Sequence, residues 1–370
     1  MLSDLFAVAG QFKPRGRIID VREFGNGNIN NTFLVTLDTE MDSEGERHFV
    51  LQRINPHVFR RPELVMQNMR IATGHIIHRL ERDTPSPGRR WKVLQVLPAH
   101  DGGDHWIGTD GSFWRAVSFI GGSQSFNTIK DIDHAREVGY ALGMFHTLLS
   151  DMPHERLADT LEGFHITPRY LRRFDEVLVK YGAAGSSEVK YCTQFANERS
   201  GWAHVLEDAR AKGILHLRPI HGDPKVNNIM MDTATGRAVS IVDLDTVKPG
   251  LVHYDIGDCL RSGCNRLGEE TEAWETISFD TDLCRAVLQG YFSMAREFLT
   301  GDDYVYLYDS VRLIAFELGL RFFTDYLEGN VYFKVRRPEQ NLARALVQFK
   351  LTESIESQET AIRNIIRSIR

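Results

Sequence analysis

The sequence predicts an α+β chain: a β-rich N-terminal third followed by a mainly helical remainder. Three observations carry that prediction. As far as Ile120, short β-rich runs are separated by Gly-, Asn- and Asp-rich turns, with one long helix among them. From Asp131 onward, apolar residues recur at helical spacing over long stretches. Between those helices, "HGDPKVNNIMMD" and "AVSIVDLDT" form a loop and hairpin rich in carboxylates and amides.

The elements follow in chain order. "RIIDVREFG" and "NTFLVTLD" read as strands flanking "GNGNIN". "RHFVLQRIN" is a third strand, with Phe49 and Leu51 alternating against Val50 and Gln52. "ELVMQNMRIATGHIIHRL" has the spacing of a long helix, and "RWKVLQVLPA", "DHWIGTD" and "SFWRAVSFI" return to strand, separated by the turns "HDGGD" and "TDGS". "GGSQSFN", Gly121 to Asn127, breaks the pattern and puts a hinge near Phe119 to Ser123. The expected division is therefore 1–120 and 121–370. "DIDHAREVGYALGMFHTLLSD" opens the helical part, with Ile132, Ala135, Val138, Ala141, Leu142, Phe145, Leu148 and Leu149 on one stripe. "TPRYLRRFDEVLVKYG", "WAHVLEDARAKG", "TDLCRAVLQGYFSMAREF" and "YVYLYDSVRLIAFELGLRFFTDYL" read as further helices. The C-terminal "QNLARALVQFKLTESIESQETAIRNIIRSI" reads as one more, its stripe of Leu342, Leu346 and Phe349 continuing less regularly through Ile355, Ile362 and Ile366.

Composition narrows the function. At 370 residues with 42% hydrophobic and 25% charged side chains, the chain has the make-up of a soluble globular protein with room for two domains. A net charge of −6 argues against a nucleic-acid partner, whose phosphates need a basic surface. No run approaches membrane-spanning length, and the N-terminus shows no secretion leader. Cys192, Cys259, Cys264 and Cys284 show no CxxC pair and no histidines at zinc-finger spacing, so reduced thiols are expected. A cytoplasmic protein, monomeric or weakly dimeric, without nucleic-acid or membrane partners, is the expectation.

The chemistry sits in the loop and hairpin. Phosphoryl transfer from ATP needs a carboxylate to orient and deprotonate a hydroxyl, oxygen ligands for Mg²⁺, a cation near the moving group, and backbone amides over the phosphates. Asp223 suits the base, Asn228 and Asp243 the metal ligands, and Lys225 the cation. Gly222 and Pro224 make the stretch a loop, "IMMD" a short strand, "TATG" a turn and "AVSIVDLDT" a returning strand, so a hairpin returns Asp243 toward Asn228. Turn chemistry alone accounts for any single one of these residues, and it is their combination and order that favours catalysis. His221 reads as a brace for the loop. In "FGNGNINNTF", Gly25 and Gly27 would let amides approach phosphate oxygens, although Asn26-Gly27 also suits a plain hairpin turn.

The loop and hairpin resemble the Brenner-type motif of the aminoglycoside phosphotransferase and choline kinase superfamily. More narrowly, "GNGNINNTFLV", "FVLQRIN", "IVDLDTVKPG", "DIGDCLRSG" and "GLRFFTDYLEGNVYF" resemble its N-acetylhexosamine 1-kinase-like branch. The resemblance implies a bilobed protein-kinase-like fold, with a β-rich nucleotide-binding N-lobe and a mainly helical catalytic and substrate-binding C-lobe. It implies ATP and Mg²⁺ as cofactors and a small sugar as acceptor, phosphorylated at its anomeric hydroxyl. By position, Asp223 matches the base and also touches the substrate, Asn228 and Asp243 match the magnesium ligands, and Arg321 and Tyr332 match residues that hold the sugar. From the residues alone, those last two could equally belong to a packing cluster, and Arg261 is expected to pair with Asp255 or Asp258. Two departures stand out. Gln52 occupies the place of the protein-kinase lysine, with Arg70 where its glutamate partner would align, and Asn28 in the glycine loop replaces a histidine. Another alcohol as acceptor (choline, homoserine or an aminoglycoside) and a non-catalytic nucleotide-binding module are the competing readings. The second would be marked by loss of Asp223, Asn228 or Asp243, all of which are present.

Overall fold

The computed structural model describes residues 2–14, 16–25, 29–39, 47–83, 88–182 and 185–370. It is a mixed α+β structure, with the sheet-rich part N-terminal and the helical part C-terminal. The chain forms two compact units. The first holds residues 1–124 and takes in two later segments, 155–161 and 230–248; the second holds 125–154, 162–229 and 249–370.

In the first unit, helix α1 (Leu2–Ala9) precedes strands β1 (Arg17–Glu23), β2 (Asn31–Asp38) and β3 (His48–Ile54). Helix α2 (Pro62–Arg82) follows, then β4 (Val96–Leu97), β5 (Trp106–Ile107) and β6 (Phe113–Ser118). The antiparallel sheet runs β1-β2-β3-β6-β4, and β5 pairs with β6. Alternation on β3 is as the sequence predicts, with Phe49 and Leu51 buried beneath half-exposed Val50 and Gln52. Phe12, Phe33, Val35, Trp114 and Ala116 complete that core, and Val65 and Met66 of α2 close a second one with Ile54, Phe59 and Phe113. The run "RWKVLQVLPA" becomes strand only at Val96–Leu97. Its backbone divides between partners, Lys92 N–H bonding Val239 and Gln95 bonding Ser118, so no continuous ladder can form. "DHWIGTD" likewise shrinks to two residues.

The stretch 1–124 ends in β7 (Ser123–Gln124), paired antiparallel with β9 (Ile229–Asp232), which pairs in turn with β10 (Ala238–Ile241). The returning strand stops at Ile241 and ends in a 3-10 turn, Leu244–Thr246.

The second unit contains α3 (Ile132–Leu149), α4 (Thr167–Tyr181), α5 (Ser187–Arg199), α6 (Val205–Ala211) and strand β8 (Arg218–Ile220). After β11 (Lys248–Gly250), which pairs with β8, come α7 (Val252–Gly263), α8 (Thr281–Ala295), α9 (Gly301–Val305), α10 (Leu307–Leu327), α11 (Gln340–Ser357) and α12 (Glu359–Ile369). Its aromatic core gathers Phe174, Phe195, Phe316, Phe323 and Phe349, with Phe195 stacked on Phe349 at 4.5 Å. Two predicted helices are divided. Tyr306 separates α9 from α10, and Gln358 separates α11 from α12. The second break explains the faltering stripe, because α12 buries Ile362, Ile365 and Ile366 on an axis of its own. All four cysteines are buried and free. No described helix is long and apolar enough to cross a membrane.

Helices α3 and α8 touch backbone to backbone. A Cβ on Gly139 would lie 1.8 Å from the Val287 carbonyl oxygen, and one on Gly290 1.9 Å from that of Arg136. Gly139→Ala or Gly290→Ala should therefore force the helices apart and lower stability by about 1–3 kcal/mol or more. Gly74→Ala, at an exposed position of α2 with open space around it, should instead raise stability by about 0.5–1 kcal/mol. Urea unfolding of the three variants measures both signs.

Candidate active site

In the second unit, β8 delivers the chain into the loop His221–Asn228, which carries three of the predicted site residues. Pro224 keeps the loop extended and Gly222 adopts φ +86°, a conformation that excludes helix. The loop closes in a 3-10 turn over Val226–Asn228. Asp223 Oδ2 lies 2.7 Å from Lys225 Nζ. Asn228 Nδ2 donates to the Asp223 carbonyl at 2.7 Å and reaches its Oδ2 at 3.3 Å. The three side chains are thus brought together, and the Lys225 ammonium, expected beside the moving phosphoryl group, lies on the Asp223 carboxylate. Because the Asn228 amide commits its NH₂ to Asp223, its Oδ1 is the end that remains for a ligand.

Three buried groups hold this loop. Asp255 of α7 accepts the His221 N–H at 2.6 Å and the Gly222 N–H at 2.8 Å, and its Oδ2 meets His146 Nε2 at 2.9 Å. Burial pushes the Asp255 carboxyl up, but the bonds and charges of His146 and His221 outweigh it and hold it below the usual carboxylate range. His165, itself left-handed at φ 63°, bridges the Gly222 carbonyl (2.7 Å) and Glu317 Oε1 (3.0 Å), while Thr167 donates to Glu317 Oε2 at 2.7 Å. Burial opposes the imidazolium, and the Glu317 charge with these two acceptors outweighs it, so the His165 pKa is raised. His221 braces the loop as expected: its Nδ1 accepts the Asp223 N–H at 3.3 Å.

Of the two partners expected for Arg261, Asp258 is the one it takes: Arg261 Nε donates to Asp258 Oδ1 at 2.8 Å, and its Nη1 reaches Glu269 at 2.5 Å. Asp255 is committed to His146 and the backbone instead. Burial raises the Asp258 carboxyl pKa, Arg261 opposes, and Asp223 adds to the rise.

Arg321 and Tyr332 lie in the same unit. The Arg321 guanidinium sits 5.0 Å from the Phe164 and Tyr170 ring centroids and 5.5 Å from that of Phe333. Among the described residues it forms no hydrogen bond and no salt bridge. Burial works against its charge, but Tyr170, Tyr332, Glu317 and Asp223 more than offset it and raise its pKa. Tyr332 is 43% exposed and packs edge-on against Phe333. Asp325 fixes that stretch, accepting the N–H groups of Val331, Tyr332 and Phe333 at 2.9, 2.7 and 3.0 Å.

The remaining predicted residues lie in the first unit. Asp243 follows β10 at φ 64° and ψ 57°, a left-handed conformation rare for a residue with a Cβ and concentrated at functional sites. Gly25 has φ +75° with open space where a Cβ would lie. Gly27 and Asn28 fall outside the described residues. Gln52 Oε1 accepts from Arg115 Nε and Nη2 at 2.9 and 2.7 Å, and its Nε2 donates to Thr32 Oγ1 at 3.1 Å. Arg70 pairs with Asp104 at 3.2 Å. The donors available for a metal are an amide oxygen and carboxylates, the hard oxygen set that Mg²⁺ takes, and the described residues hold no cluster of three or more His, Cys, Asp or Glu suited to an ion.

Sequence reasoning passed over His146, His165, Glu317, Asp325, Arg115 and Asp245 as site residues. One signal was available for Arg115, a lone charge inside the apolar run "SFWRAVSFI".

The profile of the phosphotransferase enzyme family matches residues 20–295. Among solved structures, a microcompartment-associated aminopropanol kinase is similar over 98% of this chain and 99% of its own, with TM-score 0.62 and 15% identity. Choline kinase from Cryptosporidium parvum Iowa II is similar over 97% of each chain, with TM-score 0.61 and 12% identity. Spectinomycin phosphotransferase, solved with ADP and spectinomycin, covers 100% of this chain and 98% of its own, with TM-score 0.54 and 12% identity. At such identities the likeness is one of fold.

Since the folded protein lowers the Asp255 pKa, that carboxylate contributes stability above its unfolded value of about 4 and loses it as pH falls below that. Asp255→Asn should cost about 3 kcal/mol at pH 7 and flatten the fall in stability below pH about 4. Chemical denaturation of both proteins across that range tests the pair of expectations.

Proposed function

The chain belongs to the phosphotransferase enzyme family, and on that premise we propose that it is an ATP-dependent sugar kinase. In this reading it transfers the γ-phosphoryl group to the anomeric hydroxyl of an N-acetylhexosamine. ATP as donor is supported by the family and by the ADP bound to the spectinomycin phosphotransferase of the same fold.

One observation carries the choice of acceptor. Arg321 is a half-buried guanidinium with no carboxylate partner among the described residues, walled by Phe164, Tyr170 and Phe333. It lies in the same unit as Asp223, and the charges of Glu317 and, more weakly, Asp223 favour its protonated form. A cation there repels choline, aminopropanol or an aminoglycoside. It suits a neutral polyol, whose hydroxyls can accept from its N–H fork while the rings take the apolar face of a pyranose.

In this reading Asp223 accepts the hydrogen bond of the acceptor hydroxyl and aligns it for in-line attack, taking the proton late. The anomeric hydroxyl, more acidic than an ordinary alcohol, eases that transfer. Asn228 and Asp243 would hold magnesium, which when bound neutralises charge on the phosphates. Lys225, on a flexible stem a third exposed, can exchange its contact with Asp223 for one with the transferring group. Gly25, with Gly27, Asn28 and Gln52, would serve the nucleotide. Residues 1–120 are thus assigned the nucleotide and 121–370 the acceptor and the chemistry.

A panel of N-acetylglucosamine, N-acetylgalactosamine, choline, aminopropanol, homoserine and an aminoglycoside, scored by ADP release and phosphorus NMR of the product, tests this. The expected product is an N-acetylhexosamine 1-phosphate; turnover of choline or aminopropanol without sugar turnover overturns the reading. Asp223→Asn should lower kcat about a thousandfold with ADP affinity retained. Arg321→Met should raise the KM for the acceptor about tenfold and leave that for ATP unchanged.

A further inference from the structure

Position 52 on β3 carries a neutral amide, and the buried cation stands one strand away. Thr32, Gln52 and Arg115 are directly opposite one another on β2, β3 and β6. Arg115 is 1% exposed, an unusual place for a guanidinium. Two of its N–H groups converge on Gln52 Oε1, and Nη2 also pairs with Asp245 Oδ1. The other Asp245 oxygen accepts from Asn30 Nδ2 at 2.6 Å, and Asn30 Oδ1 accepts the Asn55 N–H at 2.9 Å. Asp245 therefore ties the arginine to the residue at the foot of the glycine loop.

This network decides which way the Gln52 amide points. Its oxygen is saturated by two charge-assisted bonds. A flipped amide would set NH₂ against the guanidinium, donor against donor, and strand both. With the oxygen held, one N–H goes to Thr32 and the second meets no partner among the described residues, on a half-exposed side chain. Packing alone does not explain Arg115, since its Nη1 is buried without an acceptor, a loss that an apolar side chain on β6 would avoid.

We infer that Arg115 is a positioning residue for the nucleotide: it locks Gln52 with its NH₂ presented to phosphate, and the Arg115–Asp245 pair stands in for the lysine–glutamate pair of protein kinases. Charge reaches the phosphates by polarising the amide rather than by contact. The inference rests on the reading of this chain as an ATP-dependent kinase.

Calorimetric titration with Mg·ADP and a non-hydrolysable ATP analogue, alongside thermal unfolding, tests it. Gln52→Glu keeps the shape and pairs with Arg115, so the unfolding midpoint holds or rises. Nucleotide affinity nevertheless falls about tenfold or more, because an outward N–H becomes a carboxylate oxygen. Gln52→Lys sets two cations against each other and lowers the midpoint. Adding Arg115→Met to it leaves Asp245 to the introduced amine and recovers both midpoint and affinity to within about fivefold of wild type. Affinity of Gln52→Glu within twofold of wild type, or an unchanged midpoint for Gln52→Lys alone, overturns the inference and leaves the kinase reading intact. Failure of the wild-type protein to bind either nucleotide sinks both.

Discussion

The candidate active site depends on one buried carboxylate accepting two consecutive backbone N–H groups. The loop around Asp223 runs between two short strands and has no ladder to satisfy its amides, so each polar group in it needs a partner of its own. Asp255 takes the N–H of His221 and of Gly222, the His221 ring takes that of Asp223, and His165 caps the Gly222 carbonyl. The peptide linking Gly222 to Asp223 is therefore gripped at both ends. A carboxylate whose backbone is fixed this way needs no strained rotamer to face a ligand. That is the form of preorganisation phosphoryl transfer uses, where positioning and electrostatics supply most of the catalysis.

Asp245 is the counterpart in the first unit. Asp255 fixes backbone, whereas Asp245 fixes side chains, gathering Arg115 and Asn30 from separate elements. Burying such ions seldom adds net stability over apolar packing, while removing one partner is costly. Their presence makes sense as the means of holding a geometry. The positive φ of Asp243, two residues upstream, fits the same view, since a non-glycine residue is kept in that region only where its surroundings over-determine it.

The sequence made legible what repeats. β-rich runs, with period-two alternation on β3, marked β1, β2, β3 and β6, and apolar residues at helical spacing marked α2, α3, α4, α8 and α10 to within a few residues. It misled where pairing, and not propensity, decides: "RWKVLQVLPA" has strand composition but two competing partners, Val239 and Ser118. It was silent on α7, which buries every residue but one of Val252–Gly263 and so shows no polar face for a periodicity to reveal. The loop residues Asp223, Lys225 and Asn228 were legible because the loop is short and its chemistry local. Asp255, His165 and Arg115 act across 33, 57 and 63 residues of sequence. A single sequence shows the charge but not the partner.

Among the described residues of the second unit, pairing also sets Arg321 apart from the buried cations that serve the fold. In the second unit His146 answers Asp255, Arg261 answers Asp258, His165 answers Glu317 and Lys225 lies on Asp223. These carboxylates are compensated from within. Arg321 is surrounded differently, by aromatic rings that stabilise a cation without quenching its hydrogen-bond donors. A guanidinium confined in this manner keeps its full donor capacity for an incoming molecule. Such a guanidinium is equipped to meet oxygen acceptors on a neutral molecule rather than a second positive charge.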